Sequence, residues 1–229
     1  MHICLFDIDG TLIASGGAGK AAMEAALATA FGITQLRANV PYSGRTDRAI
    51  GRDLIRLHDL EENAHNWQRL RSAYLRHLPA CLARHQGRVL PGIAALLEHL
   101  RSHGQVALGL LTGNIQEGAR LKLGHYNLFH YFAFGGFGDR HLDRDDVARE
   151  ALVAVHEHCN GTACLDRIWV IGDTPLDIRC ARAIGVRVAA VATGLHPVEE
   201  LAPLEPDLLL PDFSDPRLFT QVFGLGPGG

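Results

Sequence analysis

Lysine is nearly missing from this chain. Of its 22 basic residues only Lys20 and Lys122 carry an amine, so chemistry that needs an ammonium or a Schiff base must draw on one of them. An excess of one charge is missing too. The 22 basic and 25 acidic side chains leave a net charge of −3, without the basic footprint that nucleic acid or an anionic membrane requires. The five cysteines include no C-x-x-C pair, and an odd number of them reads as reduced thiols, not a disulfide framework. No apolar run is long enough to cross a bilayer, and no signal-peptide pattern stands before the first strand. A soluble, cytoplasmic protein with small-molecule partners is expected.

At 229 residues and 47% hydrophobic content the chain suffices for one large domain, or for a domain that carries an insertion. Its first segment, residues 3–12, reads ICLFDIDGTL. The apolar run suits a strand buried on both faces, and Gly10 and Thr11 end it. Asp7 and Asp9 therefore fall at the carboxyl end of a buried strand, where open α/β sheets place their ligands. Two carboxylates so close repel unless a cation joins them, and a hard divalent ion such as Mg2+ resolves that conflict. Taken alone, the pair reads equally as a cap of the following turn.

Residues 15–19, SGGAG, have the composition of a hinge or of a loop that approaches a ligand closely. From residue 20 to about 84 the stretches KAAMEAALATAF, TDRAIGRDLIRLH and NWQRLRSAYLRHLPACLARH read as helices with no strand between them. An all-helical insert over 15–87 is expected, between core segments 1–14 and 88–229. Pro91 suits the start of the next helix. Thereafter helices at 93–102, 115–124, 145–157 and 175–184 alternate with strands at 106–111, 132–134, 168–171, 186–191 and 208–210. Such alternation predicts a doubly wound, Rossmann-like parallel sheet. The closing GLGPGG is expected to fray.

Two further strand ends are polar. Thr112-Gly113-Asn114 follows ALGLL and offers a hydroxyl and backbone N–H groups to an anion, or a plain helix cap. Gly172-Asp173-Thr174-Pro175-Leu176-Asp177 follows IWVI; Thr174 and Pro175 fix the turn, capping accounts for Asp177, and Asp173 is placed to share a cation with Asp7. His156, His158, Cys159 and Cys164 lack the spacing of a zinc site. Trp67 and Trp169 read as packing residues.

D-x-D, T-G-N and G-D-x-x-x-D in this order, with a helical insert after the first, resemble the haloacid dehalogenase superfamily in its phosphoglycolate phosphatase-like branch. The resemblance covers nearly the whole chain. It implies a Mg2+-dependent phosphatase in which Asp7 is the nucleophile and forms an aspartyl-phosphate. Asp9 would protonate the leaving oxygen and then activate water, and Thr112 would hold the phosphoryl oxygens. Asp173, with Asp7 and the Asp9 carbonyl, would bind Mg2+, and Asp177 would support that shell. Gly10, Gly113 and Asn114 would line the substrate site. The implied partner is a small phosphorylated metabolite, and the protein a monomer or homodimer.

The family's third motif is where the chain departs from the pattern, because residues 138–145, GDRHLDRD, contain no lysine. Arg144 qualifies by spacing, although a guanidinium is not interchangeable with an ammonium. Lys122 is the other candidate. Each has a plain alternative, an ion pair with Asp145 or Asp146 for Arg144 and a solvated helix face for Lys122. In the insert, Arg45 and Thr46 of Tyr42-Ser43-Gly44-Arg45-Thr46-Asp47 are candidates for gripping an anionic substrate tail, or for a helix cap with a surface arginine. A phosphomutase of the same build and a catalytically inactive binding module are the rival functions.

Overall fold

The computed structural model describes residues 1–223, so the GLGPGG tail lies outside the described residues. The chain runs β1 (His2–Phe6), β2 (Ile13–Ala14), α1 (Ala18–Phe31), α2 (Asp47–Leu57), α3 (Ala64–Arg84), β3 (Arg88–Val89), α4 (Ile93–Ser102), β4 (Val106–Leu111) and α5 (Gln116–His125). It continues through β5 (Phe134–Gly136), α6 (Arg144–His158), β6 (Ile168–Gly172), α7 (Pro175–Ala183), β7 (Arg187–Val191), α8 (Val198–Leu201), β8 (Leu208–Leu210) and α9 (Pro216–Thr220).

Six strands form one sheet in the order β5-β4-β1-β6-β7-β8, every pairing parallel. Successive side chains of a strand point to opposite faces, so a strand covered on both faces must be apolar throughout. In β1, Cys4 and Phe6 pack with Leu108, Leu110, Trp169 and Ile171 on one face, against α4, α5 and α9. Ile3 and Leu5 pack with Leu111, Ile168 and Val170 on the other, against α6 and α7. Fully burying one such Leu or Ile side chain contributes roughly 1.5–3 kcal/mol. The apolar runs of β1, β4 and β6 thus form the core and also stack their carboxyl ends at one edge.

Helices α1, α2 and α3 hold a third cluster of their own, built on Met23, Leu27, Leu54, Leu70, Tyr74 and Leu78. The chain enters this layer from β2 and leaves it through β3, which pair antiparallel as Ile13↔Val89 and Ala14↔Arg88. That ribbon is not visible in the amino-acid pattern, since strands of two residues have no period to read. The expected hinge at 15–19 is shorter than its composition suggests. Ala18 and Gly19 already belong to α1, which leaves Ser15 and the left-handed Gly16 and Gly17, at φ 63° and 86°, outside helix.

Pro91 does not start α4. Gly92 caps that helix in the left-handed region at φ 77°, and Ile93 is its first residue. A Cβ on Gly92 would lie 1.7 Å from the Phe213 carbonyl oxygen, so sterics and backbone conformation both demand glycine there. Gly92→Ala is therefore expected to destabilise the protein by on the order of 2 kcal/mol and to lower Tm by roughly 4–8 °C. Thermal unfolding followed by circular dichroism checks it, and an unchanged Tm would refute this reading of the α4 cap.

Candidate active site

Because β1 lies between β4 and β6, the loops after all three strands meet at the same edge. The Asp7 N–H continues the ladder by donating to Ile171 O at 2.9 Å, and the Thr112 N–H donates to Gly136 O at 3.2 Å. These bonds fix where Asp7 and Thr112 leave the sheet. A cavity of about 450 Å³ opens there, lined by Asp7, Asp9, Gly10, Gly113, Asn114, Lys122, Arg144 and Asp173 from the sheet layer. Residues of α1, α2, α3 and the 42–45 loop form its other wall.

Asp7, Asp173 and Asp177 are all buried, and each offers a carboxylate oxygen within 4.8 Å of the others. Burial, first of all, pushes Asp7 up to about 6, with Arg144 opposing and Asp177 adding to the rise. Burial and the neighbouring Asp177 and Asp7 raise Asp173 well above the ordinary carboxylate range. An all-oxygen donor set whose charges repel fits a hard divalent cation.

The three carboxylates are not equivalent. Asp173 accepts from Thr11 Oγ1 at 3.0 Å through one oxygen and keeps the other free of hydrogen bonds among the described residues. Both oxygens of Asp177 are engaged. Oδ1 accepts from Arg144 Nη2 at 2.5 Å, and Oδ2 accepts the Thr174 N–H at 3.0 Å and Thr174 Oγ1 at 2.7 Å, forming a capping box. Asp177, expected among the metal residues, offers a carboxylate oxygen within 4.8 Å of Asp7 and Asp173, while both of its oxygens also accept hydrogen bonds. It anchors Arg144 and the turn that presents Asp173.

Arg144, only 3% exposed, also forms an ion pair from Nη2 to Asp7 Oδ1 at 3.1 Å, and donates from Nη2 to Leu111 O at 3.3 Å and from Nη1 to Gly44 O at 3.2 Å. Its pairing with Asp145 or Asp146 is not observed; those carboxylates bind Arg179 and Arg149. Lys122 does not lie on a solvated face either, being 4% exposed. Its Nζ donates to Asp9 Oδ2 at 2.5 Å and to Asn114 Oδ1 at 2.6 Å. Both candidates are thus inside the site, Arg144 on Asp7 and Lys122 on Asp9.

Asp9, with its side chain 37% exposed, also accepts from Asn114 Nδ2 at 3.0 Å and Ser15 Oγ at 3.1 Å. Burial alone would raise it, but the Lys122 ammonium and these bonds outweigh burial and hold it below the usual range. Thr112, fully buried, accepts from the Asn114 N–H at 3.3 Å and from Asn114 Nδ2 at 2.8 Å. A hydroxyl that accepts twice retains its one proton to donate.

The helical layer closes against this edge through close backbone contacts. A Cβ at Gly113 would come within 2.1 Å of Arg45 O; within the sheet edge itself, one at Gly10, at φ 89°, would come within 2.3 Å of the Asp173 side-chain Oδ2. Thr46 is buried at the start of α2. Its Oγ1 caps α2 by accepting the Ala49 N–H at 3.0 Å, and reaches Leu142 O at 3.4 Å. Arg45 lines the cavity, but its guanidinium is held by Asp53 at 2.5 Å and Pro41 O at 3.0 Å. Thr46 is thus a helix cap, whereas Arg45 is not a surface arginine, its side chain being 20% exposed on the cavity wall. Asp47, which did not stand out in the sequence beyond its place in the loop, fastens this loop to the sheet edge. Its N–H donates to Gly113 O at 2.7 Å, and its Oδ2 accepts the Ile115 N–H at 2.9 Å.

Residues 1–185 match the family model of haloacid dehalogenase-like hydrolases, and the chain belongs to that family. It is 30% identical to a phosphoglycolate phosphatase of Synechococcus elongatus over 227 residues, covering 94% of this chain and 95% of that one. It is 28% identical to a phosphoglycolate phosphatase of Cereibacter sphaeroides, covering 86% and 88%. Among solved structures, a predicted phosphoglycolate phosphatase from Haemophilus somnus superposes with a TM-score of 0.74 at 18% identity over 96% of this chain and 98% of that one. A putative β-phosphoglucomutase from Thermotoga maritima gives 0.60 at 20% over 99% and 100%. The protein is thus an enzyme, a phosphoric monoester hydrolase of the haloacid dehalogenase type.

A carboxylate whose folded-state pKa is raised stabilises the fold less as pH climbs from its unfolded value through the folded one. Removing such a charge should help the metal-free protein. Asp173→Asn keeps an acceptor for Thr11 and should raise the metal-free Tm at pH 8 by about 2–4 °C, measured by thermal unfolding. A metal-free Tm that falls would contradict the repulsion described for this cluster.

Proposed function

We propose that this phosphatase hydrolyses a small phosphomonoester through an aspartyl-phosphate on Asp7, with Mg2+ as its cation. The observation that carries the reading is the convergence of Asp7, Asp9, Asn114, Lys122 and Asp173 on one cavity at the carboxyl edge of the sheet. Asp7, Asp173 and the Asp9 carbonyl would hold the ion, which supplies charge neutralisation for the phosphoryl oxygens.

Asp7 attacks phosphorus in line, with its Oδ1 steadied by Arg144 and its other oxygen free of side-chain partners. The Thr112 proton, the backbone at Gly113 and the Lys122 ammonium face the charge that builds on the phosphoryl group. Asp9 gives its proton to the leaving oxygen and later takes one from the water that cleaves the intermediate. Its pairing with Lys122 gives that exchange a physical handle. An arriving phosphate dianion competes for the ammonium, loosens its hold on Asp9 and raises the carboxyl's proton affinity. Residues 15–87 act as the cap that excludes water over the core formed by 1–14 and 88–229.

Asp7→Asn should abolish Mg2+-dependent phosphate release from p-nitrophenyl phosphate, and a wild type inactive with every divalent metal would refute the reading. Lys122→Met should lower kcat by roughly 10²–10³ with the fold intact. Arg144→Met should cost about 3–5 kcal/mol of stability, because it leaves Asp7 and Asp177 buried without their cation. Paired kinetics and thermal melts separate these two outcomes.

A further inference from the structure

The cavity is large for a leaving group as small as glycolate, since about 450 Å³ falls within the roughly 300–1,000 Å³ of sites that hold drug-sized ligands. Its cap-side wall has a definite chemistry. Met23 and Ile50 are apolar, and Tyr42, Tyr74 and Asp47 supply the buried polar groups. The Tyr42 hydroxyl is buried with no hydrogen-bond partner among the described residues, an arrangement that costs stability unless a ligand satisfies it. Asp47 engages one oxygen with Ile115 and leaves the other without a partner among the described residues. These groups are near neighbours. Burial first, then the carboxylates of Glu24 and Asp47, push the Tyr42 phenol up. Burial, then Asp47 and Asp9, do the same to Tyr74. Both phenols therefore remain O–H donors at neutral pH, beside a free carboxylate acceptor.

This wall is poorly suited to a carboxylate on the leaving group. Asp47 would repel it, and the Arg45 guanidinium is already held by Asp53. Lys20 lines the cavity without an ion-pair partner among the described residues, but it is exposed to solvent, where a single charge pair is worth little. Hydroxyl groups, which both donate and accept, match the donor and acceptor pattern.

We propose that the leaving group is an uncharged, polyhydroxylated alcohol larger than glycolate, so that the substrate is a sugar- or polyol-type phosphomonoester whose hydroxyls bind Tyr42 and Asp47. This rests on the phosphatase reading above. A site built to bind hydroxyls discriminates strongly against analogues that lack them, because its buried polar groups are then left unpaired.

Phosphate release by the purified full chain with Mg2+ tests the proposal, using p-nitrophenyl phosphate, 2-phosphoglycolate, ribose 5-phosphate and glucose 6-phosphate. At least one sugar phosphate should exceed 2-phosphoglycolate in kcat/KM by about tenfold or more. Tyr42→Phe should cut that advantage by about tenfold, through KM more than kcat. Asp47→Asn should act in the same direction, and because Asp47 also fastens the cap loop its melting curve is recorded alongside; Tyr42→Phe, which removes no existing hydrogen bond, decides the matter if Asp47→Asn unfolds. A preference for 2-phosphoglycolate that Lys20→Ala abolishes would overturn the proposal, as would a sugar-phosphate advantage that Tyr42→Phe leaves intact. Turnover of p-nitrophenyl phosphate without a sugar preference defeats this inference alone. No turnover of any ester defeats the phosphatase reading with it.

Discussion

Four carboxylates, Asp7, Asp9, Asp173 and Asp177, are forced to one edge of a buried sheet by parallel strand order, and the rest of the site answers their mutual repulsion. Two cations buried from opposite sides do most of that work. Arg144 spans Asp7 and Asp177, while Lys122 holds Asp9. Each is supported by the backbone or by Asn114, and the site keeps Asp7 and Asp9 on separate cations. Asp7 is shifted up and Asp9 down, a divergence that suits two acids with different roles. Asp173, raised without a full partner of its own, is the oxygen donor most in need of a cation.

Much of this was legible before folding. The apolar runs that end in Asp7, Thr112 and Asp173 predict three buried strands, and a parallel doubly wound sheet brings their ends together by its topology alone. Helix α4 at 93–102 and strand β4 at 106–111 lie where the residue pattern puts them. Other features rest on pairings that no local pattern encodes. The β2–β3 ribbon joins residues far apart in sequence through a pair of strands too short to carry a period. Arg45 is claimed by Asp53, a full two turns into the helix that follows it, so its sequence neighbourhood gives no hint of the engagement. Asp47 resembles any acid in a first helical turn until the fold sets it against the N–H of Ile115.

The absent third-motif lysine illustrates the same limit. Reading by spacing selects one position after the second motif, and a residue at that position, Arg144, does reach Asp7. Folding adds what spacing cannot, because α5 starts directly after the T-G-N loop and turns Lys122 back toward Asp9. Positive charge is required at a place in space, and two helices can each deliver it. A guanidinium is suited to bridging two carboxylates with a rigid fork, whereas an ammonium can exchange one oxygen for another with little rearrangement. The division seen here follows those properties, with the fork on Asp7 and Asp177 and the ammonium on Asp9.

Cap and core are joined through the same charges. Arg144 reaches across to the Gly44 carbonyl, and Asp47 reaches back to the loop at Gly113 and Ile115. The Gly113 Cα lies so close to the Arg45 carbonyl that a side chain at 113 would hold the two layers apart. The 42–47 loop touches the backbone at Gly113 on one side and brings Tyr42 and Asp47 to the cavity wall on the other. Any displacement of the cap breaks the Gly44 bond of the guanidinium that steadies Asp7. Asp7 is therefore held by a guanidinium whose own position depends on the contact between the two layers, and burial of that contact strengthens the electrostatics of the cluster.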